Sequence, residues 1–224
     1  MNILVIGDQI NLQETRQKFG DKHEYSWVNE HRDAEKYLLS NEVVFDFIID
    51  EEPHQFEIYF DHPATVFINT CKISLGELIH LVGGQTSSRI FGFNGMPTLF
   101  NREVLEVSVQ RPEDMTLLHN LCDQLKTAYQ VVEDRVGLVT PRIICMIINE
   151  AYYAAQEGTA TRTDIDLAMK LGTNYPYGPF EWAQRIGIRH VYELIEALYD
   201  DTRDERYKIC PLLKNEYLNL NLSS

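Results

Sequence analysis

Hydrophobic positions fall in short unbroken runs through the first half of the chain and at helical spacing through the second. Residues 2–7 read Asn-Ile-Leu-Val-Ile-Gly, four consecutive apolar residues closed by Gly7, as expected of a strand covered on both faces in a parallel sheet. The spacing over 9–19 predicts a first helix and 24–28 a second strand. Further apolar runs follow at 45–49, 64–68, 90–93 and 104–109, with helical or polar stretches between most of them. Strand alternating with helix predicts a doubly wound α/β sheet.

After Arg111-Pro112 the texture changes. Residues 113–129 have helical spacing with Pro112 and Glu113 at the start, and almost everything beyond reads as helix. The stretch 143–155 opens with six apolar residues in a row, so that helix is apolar nearly all round and belongs in a bundle core or a subunit interface. Thr161 with Asp164 and Thr163 with Asp166 are overlapping N-cap patterns for a helix closed near Gly172. Pro179 starts another that stops at Gly187, and 189–199 makes a further one. The domain boundary is expected between 131 and 137, giving an α/β unit at 1–133 and an all-α unit at 134–224.

Length and charge narrow the functional classes. At 224 residues the chain is long enough for two compact cores, and no apolar stretch approaches a membrane span. Net charge is −14, with 8 basic against 17 acidic residues up to position 110 and 12 against 17 after it. Such a field repels a phosphate backbone, so nucleic acid is not expected as a partner, and the lack of a spanning stretch argues against a membrane. Cys71, Cys122, Cys145 and Cys210 are widely spaced, unlike a zinc site, a redox dithiol or a disulfide framework. With no basic, apolar leader after Met1, the expected location is cytoplasmic. The histidines are scattered among charged segments and read as surface residues. Arg111, Lys126 and Arg135 could form a small cationic patch.

Several spaced motifs carry a resemblance. Ile148-Asn149-Glu150-Ala151, Glu157-Gly158-Thr159-Ala160, the run from Asp164 to Gly172, and Tyr175-Pro176-Tyr177-Gly178-Pro179-Phe180-Glu181 resemble, in order and spacing, the C-terminal helical domain of the 3-hydroxyacyl-CoA dehydrogenase family. The resemblance implies a shortened Rossmann-like sheet followed by a helical dimerisation domain. It also implies NAD as cofactor, an acyl-CoA ligand, a homodimer through the helical half, and reversible hydride transfer at the 3-hydroxyl carbon in fatty-acid metabolism.

The resemblance can be followed residue by residue. The family's G-x-G-x-x-G turn falls on Gly7-Asp8-Gln9-Ile10-Asn11-Leu12. Only the first glycine is kept, and Asp8 brings a carboxylate toward the expected pyrophosphate. Glu30 or Asp33 is the candidate ribose acid. The long helical hairpin that the family inserts after this strand is missing. The stretch from Arg89 to Glu106 resembles the segment joining the family's catalytic His to its partner Glu, and Glu106 matches that acid. The His position holds Asn94, an amide that cannot exchange a proton near neutral pH. Cys71 stands where the family has a substrate-side Ser, and Pro141 where it has an Asn. Cofactor contacts are therefore expected at Gly7, Asp8 and Glu30, and catalytic positions at Glu106, Asn94 and Cys71. Two readings remain: an NAD-dependent dehydrogenase with a degenerate site, and a non-catalytic homologue that dimerises or holds a ligand.

Overall fold

The computed structural model describes residues 1–60, 62–83 and 86–220. Its contacts divide the chain into two units, Met1–Leu138 and Val139–Ser224. The division falls after Leu138 rather than after 133 because residues 134–137 are bonded into the first unit. The Asp134 carboxylate accepts the backbone N–H groups of Leu75 and Gly76 at 2.9 and 2.8 Å, and the Gly137 N–H donates to the Cys71 carbonyl at 2.7 Å. Residues 221–224, which the expected helical half included, lie outside the described residues.

The first unit runs β1 (Asn2–Ile6), α1 (Gln9–Phe19), β2 (Glu24–Val28), the one-turn α2 (Glu35–Leu38), β3 (Val43–Asp46), β4 (Thr65–Asn69), α3 (Leu75–Leu81), β5 (Arg89–Phe93), β6 (Val104–Val109), α4 (Met115–Leu125) and β7 (Ala128–Val131). Its seven-stranded sheet has the order β2-β1-β3-β4-β5-β6-β7. Neighbours are parallel except β5 and β6, which are antiparallel. The link between those two strands spans only residues 94–103, too short for the helical crossover that a parallel pair requires. Because β2 lies on one flank of β1 and β3 on the other, the topology reverses at β1. Open α/β sheets bind ligands beside such a reversal, beyond the carboxyl ends of their strands.

Both faces of the sheet are covered. On the α1 side, Phe45 stacks on Phe67 with ring centroids 4.8 Å apart, and Phe19, Phe93 and Phe100 pack around them. On the other face Leu4, Ile6, Val44 and Val66 meet Leu38, Phe56, Tyr59 and Leu78. Each aromatic pair adds roughly 0.5–1.5 kcal/mol to the burial of its area. The third strand is shorter than its apolar run because the Asp46 carboxylate accepts the Ile48 N–H at 2.9 Å and turns the chain out of the sheet. The helix expected over 113–129 ends at Leu125, where Lys126 takes φ 55° and releases Ala128–Val131 into β7.

The second unit is helical: α5 (Thr140–Gln156), α6 (Arg162–Thr173), α7 (Pro179–Ile186), α8 (Ile188–Thr202) and α9 (Pro211–Leu220). The helix α5 buries Ile144, Cys145, Ile148 and Tyr152, but Ile143 on its other face is 53% exposed. Asn149 joins α5 to the segment before α9 by donating to the Lys208 carbonyl and accepting the Cys210 N–H, both at 2.9 Å. Gly172 lies inside α6, which ends at Asn174 in the left-handed region, φ 56°. The motif from Asp164 to Glu181 has a local physical account. Asp166 on α6 accepts the Phe180 N–H at 2.8 Å at the start of α7, and Lys170 pairs with Glu181. A Cβ on Gly178 would lie 2.3 Å from the Asp166 carboxyl carbon, so only glycine lets that cap form. Among the described residues no helix is long and apolar enough to cross a membrane.

Gly178→Ala is expected to destabilise the helical unit by about 1–3 kcal/mol, through overpacking and the lost cap. Urea denaturation followed by far-UV circular dichroism would read this as a lower midpoint. An unchanged midpoint would remove Asp166 and Gly178 from the account.

Candidate functional site

Gly7 and Asp8 follow β1, Glu30 follows β2, Cys71 follows β4 and Asn94 follows β5, while Glu106 lies within β6. At the end of β4 the Asn69 amide uses all of its hydrogen-bonding capacity. Its Nδ2 donates to the Phe47 carbonyl at 3.1 Å and to Asp50 Oδ2 at 2.8 Å, while Oδ1 accepts the Cys71 and Gly95 N–H groups at 3.3 and 3.1 Å. One residue past β5, Asn94 is buried. Its N–H donates to the Glu106 carbonyl at 3.2 Å, and its Oδ1 accepts the Met96 N–H at 3.2 Å and the Cys71 S–H at 3.5 Å. The structure therefore brings Cys71, Asn94 and Glu106 together, and adds Asn69 and Asp50, which sequence reasoning missed.

The electrostatics oppose a reactive thiol. Burial pushes the Cys71 pKa well above its usual value, and the charges of Asp50 and Glu106 raise it further, so the sulfur stays a thiol. Burial also raises the Asp50 carboxyl to about 7, with Lys72 pulling it the other way. Its Oδ1 reaches no solvent and has no hydrogen-bond partner. Burial thus brings the Asp50 proton toward exchange near neutral pH. Among the described residues, the Asn94 position holds no group that can replace an imidazole.

The turn after β1 tests the cofactor expectation. Gly7 has φ +152°, and a Cβ there would lie 2.5 Å from Asn11 Oδ1. Asp8 caps α1: its carboxylate accepts the Asn11 N–H at 2.9 Å, and its own N–H donates to Asn11 Oδ1 at 2.8 Å. A helix start normally offers free N–H groups and a positive dipole end to a phosphate. Here a carboxylate of the chain takes that place, and Leu12 packs against the core where the third glycine would be. These residues do not fit a dinucleotide pyrophosphate. Glu30 follows β2 as expected, but its carboxylate pairs with Arg32 at 2.5 Å, and Asp33 pairs with Lys36 at 2.9 Å.

Two further expectations change. His31 is not a surface residue: it is 1% exposed and bonded on both ring nitrogens, Nε2 to Asp46 and Nδ1 to Glu52, each at 2.8 Å. The cationic patch does not form around Arg111, whose guanidinium binds Asp114 and the Ser88 carbonyl, both at 2.8 Å.

With this geometry described, comparison with known proteins decides the lineage. Residues 137–222 match the model for "3-hydroxyacyl-CoA dehydrogenase, C-terminal domain". The chain is 32% identical over 157 residues to the probable 3-hydroxybutyryl-CoA dehydrogenase of Bacillus subtilis, covering 68% of this chain and 54% of that one. It belongs to the 3-hydroxyacyl-CoA dehydrogenase family. The 3-hydroxyadipyl-CoA dehydrogenase of Escherichia coli is 43% identical over 101 residues, covering 45% of this chain and 21% of that one. The chain thus spans about half the length of the Bacillus relative and about a fifth of the Escherichia one. The crystal structure of (S)-3-hydroxybutyryl-CoA dehydrogenase from Ralstonia eutropha superposes with a TM-score of 0.69 at 20% identity, covering 96% of this chain and 92% of that one. M. tuberculosis FadB2 gives 0.73 at 14% identity, with coverages of 95% and 92%. At those identities the two structures speak for the fold: a Rossmann sheet and a helical domain, as the alternation of strand and helix predicts. This 3-hydroxyacyl-CoA dehydrogenase homologue keeps the family's fold while its strand ends hold Asn94, Cys71 and Asp8.

A raised carboxyl pKa costs stability as pH climbs from the unfolded toward the folded value. Asp50 is therefore expected to make the native state progressively less stable between about pH 4 and pH 7. Asp50→Asn keeps an acceptor for Asn69 without the charge, so it should be more stable than wild type at pH 8 and equal to it near pH 4. Urea midpoints across that range check this, and parallel profiles would contradict it.

Proposed function

We propose that this family member does not carry out NAD-linked oxidation of a 3-hydroxyacyl-CoA at family rates. We read it as a dimerising, ligand-holding homologue. The observation that carries this reading is the state of Asn94. Its amide oxygen accepts from Met96 and from Cys71, at the position where the family's reaction needs a group that takes and returns a proton. Loss of general acid–base catalysis lowers rates by roughly 10²- to 10⁴-fold. The Asp8 cap on α1 supports the same reading from the cofactor side, because a carboxylate facing a phosphate is repulsive in a desolvated site.

The helical unit supports self-association. Val139 and Ile143 at the start of α5, and Leu167 and Leu171 on α6, are large apolar side chains with 45% or more of their surface exposed, the character of a face that a second copy covers. A homodimer through this unit is the assembly we propose, with an acyl-CoA as the ligand class and neither nucleic acid nor a membrane as partner. The buried, unpaired state of all four cysteines accords with the cytoplasmic location expected from the sequence.

Steady-state absorbance with NADH and acetoacetyl-CoA tests the central part. Turnover is expected at least about 10²-fold below the enzyme median of roughly 10 s⁻¹. Asn94→His alone is expected not to restore it, because Asp8, Gln9 and Cys71 remain. Turnover of wild type within about tenfold of that median would overturn the reading.

A further inference from the structure

A second buried polar cluster lies outside the candidate site and has no part in the proposed function. His31, in the turn after β2, bonds through Nε2 to Asp46 Oδ2 at 2.8 Å, and Asp46 is the last residue of β3. Through Nδ1 it bonds to Glu52 at 2.8 Å, and the Tyr59 hydroxyl donates to the same Asp46 oxygen at 2.7 Å. His31, Asp46 and Tyr59 are buried, while the Glu52 side chain is 46% exposed. In the sheet β1 lies between β2 and β3, so the bond from His31 to Asp46 spans the carboxyl end of β1. That end is the reversal point where an open α/β sheet admits a ligand.

An imidazole with carboxylates on both nitrogens donates on both sides only as the imidazolium. Neutral imidazole has one N–H, so one of the two bonds then loses its proton. The remaining N–H stays with the buried Asp46, which also accepts from Tyr59 and Ile48, so the bond given up is the one to the half-exposed Glu52. The groups facing the ring are Asp46 from β3 and Glu52 from the turn beyond it. Tyr59 reaches it through Asp46, and Asp50 lies close enough to feel the Asp46 charge. On the ring's own segment, Glu30 and Arg32 pair with each other.

We propose that Glu52, His31 and Asp46 form a proton-operated latch that fastens the end of β2 to the end of β3 across β1, closed while His31 is charged and loosened when it is neutral. Burial pulls the His31 pKa down, but its bonds to Asp46 and Glu52 outweigh that and hold it above the ordinary imidazole value. A group whose folded pKa is raised contributes stability that is fully present below the unfolded value of about 6.5 and is lost as pH rises through the folded value. The latch is therefore closed below about pH 6.5 and opens as pH rises through the raised folded value.

The test uses the full chain and His31→Gln, which keeps one donor and cannot be charged. Melting temperatures are followed from pH 6 to pH 9, with amide exchange of Gly7 and Ile48, corrected for intrinsic rates, read in parallel. The loss associated with Asp50 is common to both proteins and cancels between them. At pH 6 the variant is expected to melt about 5 °C or more below wild type, and the gap should narrow toward pH 9 as wild-type protection at Gly7 and Ile48 falls. Asp46→Asn, which keeps the shape of the partner but removes its charge, should lower the His31 pKa measured by NMR titration. A gap that stays constant across the range would overturn the latch, and so would a native His31 that titrates below about 6.5.

Discussion

The Asn69 side chain and the His31–Asp46 pair together close the carboxyl edge of the sheet, and the character of the first unit follows from that closure. Asn69 joins the turns after β3, β4 and β5 through four hydrogen bonds from one amide. His31 and Asp46 join the ends of β2 and β3 across the reversal point. A Rossmann sheet usually leaves this edge open, with backbone N–H groups and small residues available to a ligand. Here side chains of the chain itself meet the same backbone groups. Asp8 takes the start of α1, Asn69 takes the N–H groups of Cys71 and Gly95, and Asn94 takes that of Met96.

The fold and the carboxyl edge rest on different physics. The strand cores and aromatic packing depend on burial, which tolerates substitution as long as volume and pattern persist. The carboxyl edge depends on particular donors and acceptors, and exchanging one of them changes what the edge can do. Asn94 follows a β5 that pairs in register with β6, and its amide carries no titratable proton near neutral pH. Burial and two nearby carboxylates keep the Cys71 thiol protonated.

Much of the architecture was legible in the sequence. The run Asn2–Ile6, the helix Gln9–Phe19, the strand Val104–Val109 and the start of α7 at Pro179 follow from apolar run length and from the punctuation of Gly and Pro. The strand β7 was not legible, because Ala128-Tyr129-Gln130-Val131 continues the helical spacing of α4, and only Lys126 in a left-handed conformation separates them. The short reach of β3 was equally hidden, since it depends on one Asp46 bond to the Ile48 amide. At the strand ends, the resemblance drew attention to Gly7, Cys71, Asn94 and Glu106, and in the structure Asn94 bonds to both Cys71 and Glu106. The roles of His31, Asp50 and Asn69 were not legible, because each depends on partners on another strand or turn. One local signal was present for the first of them: Asp46 lies inside the apolar run 45–49, in a chain whose acidic side chains are otherwise mostly at the surface.

The negative charge of the first half gains a structural meaning in this light. Two of its carboxylates hold the edge together: Asp46 on His31 and Asp50 on Asn69. An edge closed in this way and carrying Asp8 at its helix start should reject an anionic dinucleotide. Calorimetric titration of the full chain with NADH at pH 7 tests that claim most directly. The account predicts no saturable heat up to about 1 mM ligand, and a dissociation constant near 1 μM, equivalent to roughly −8 kcal/mol of binding free energy, would contradict it.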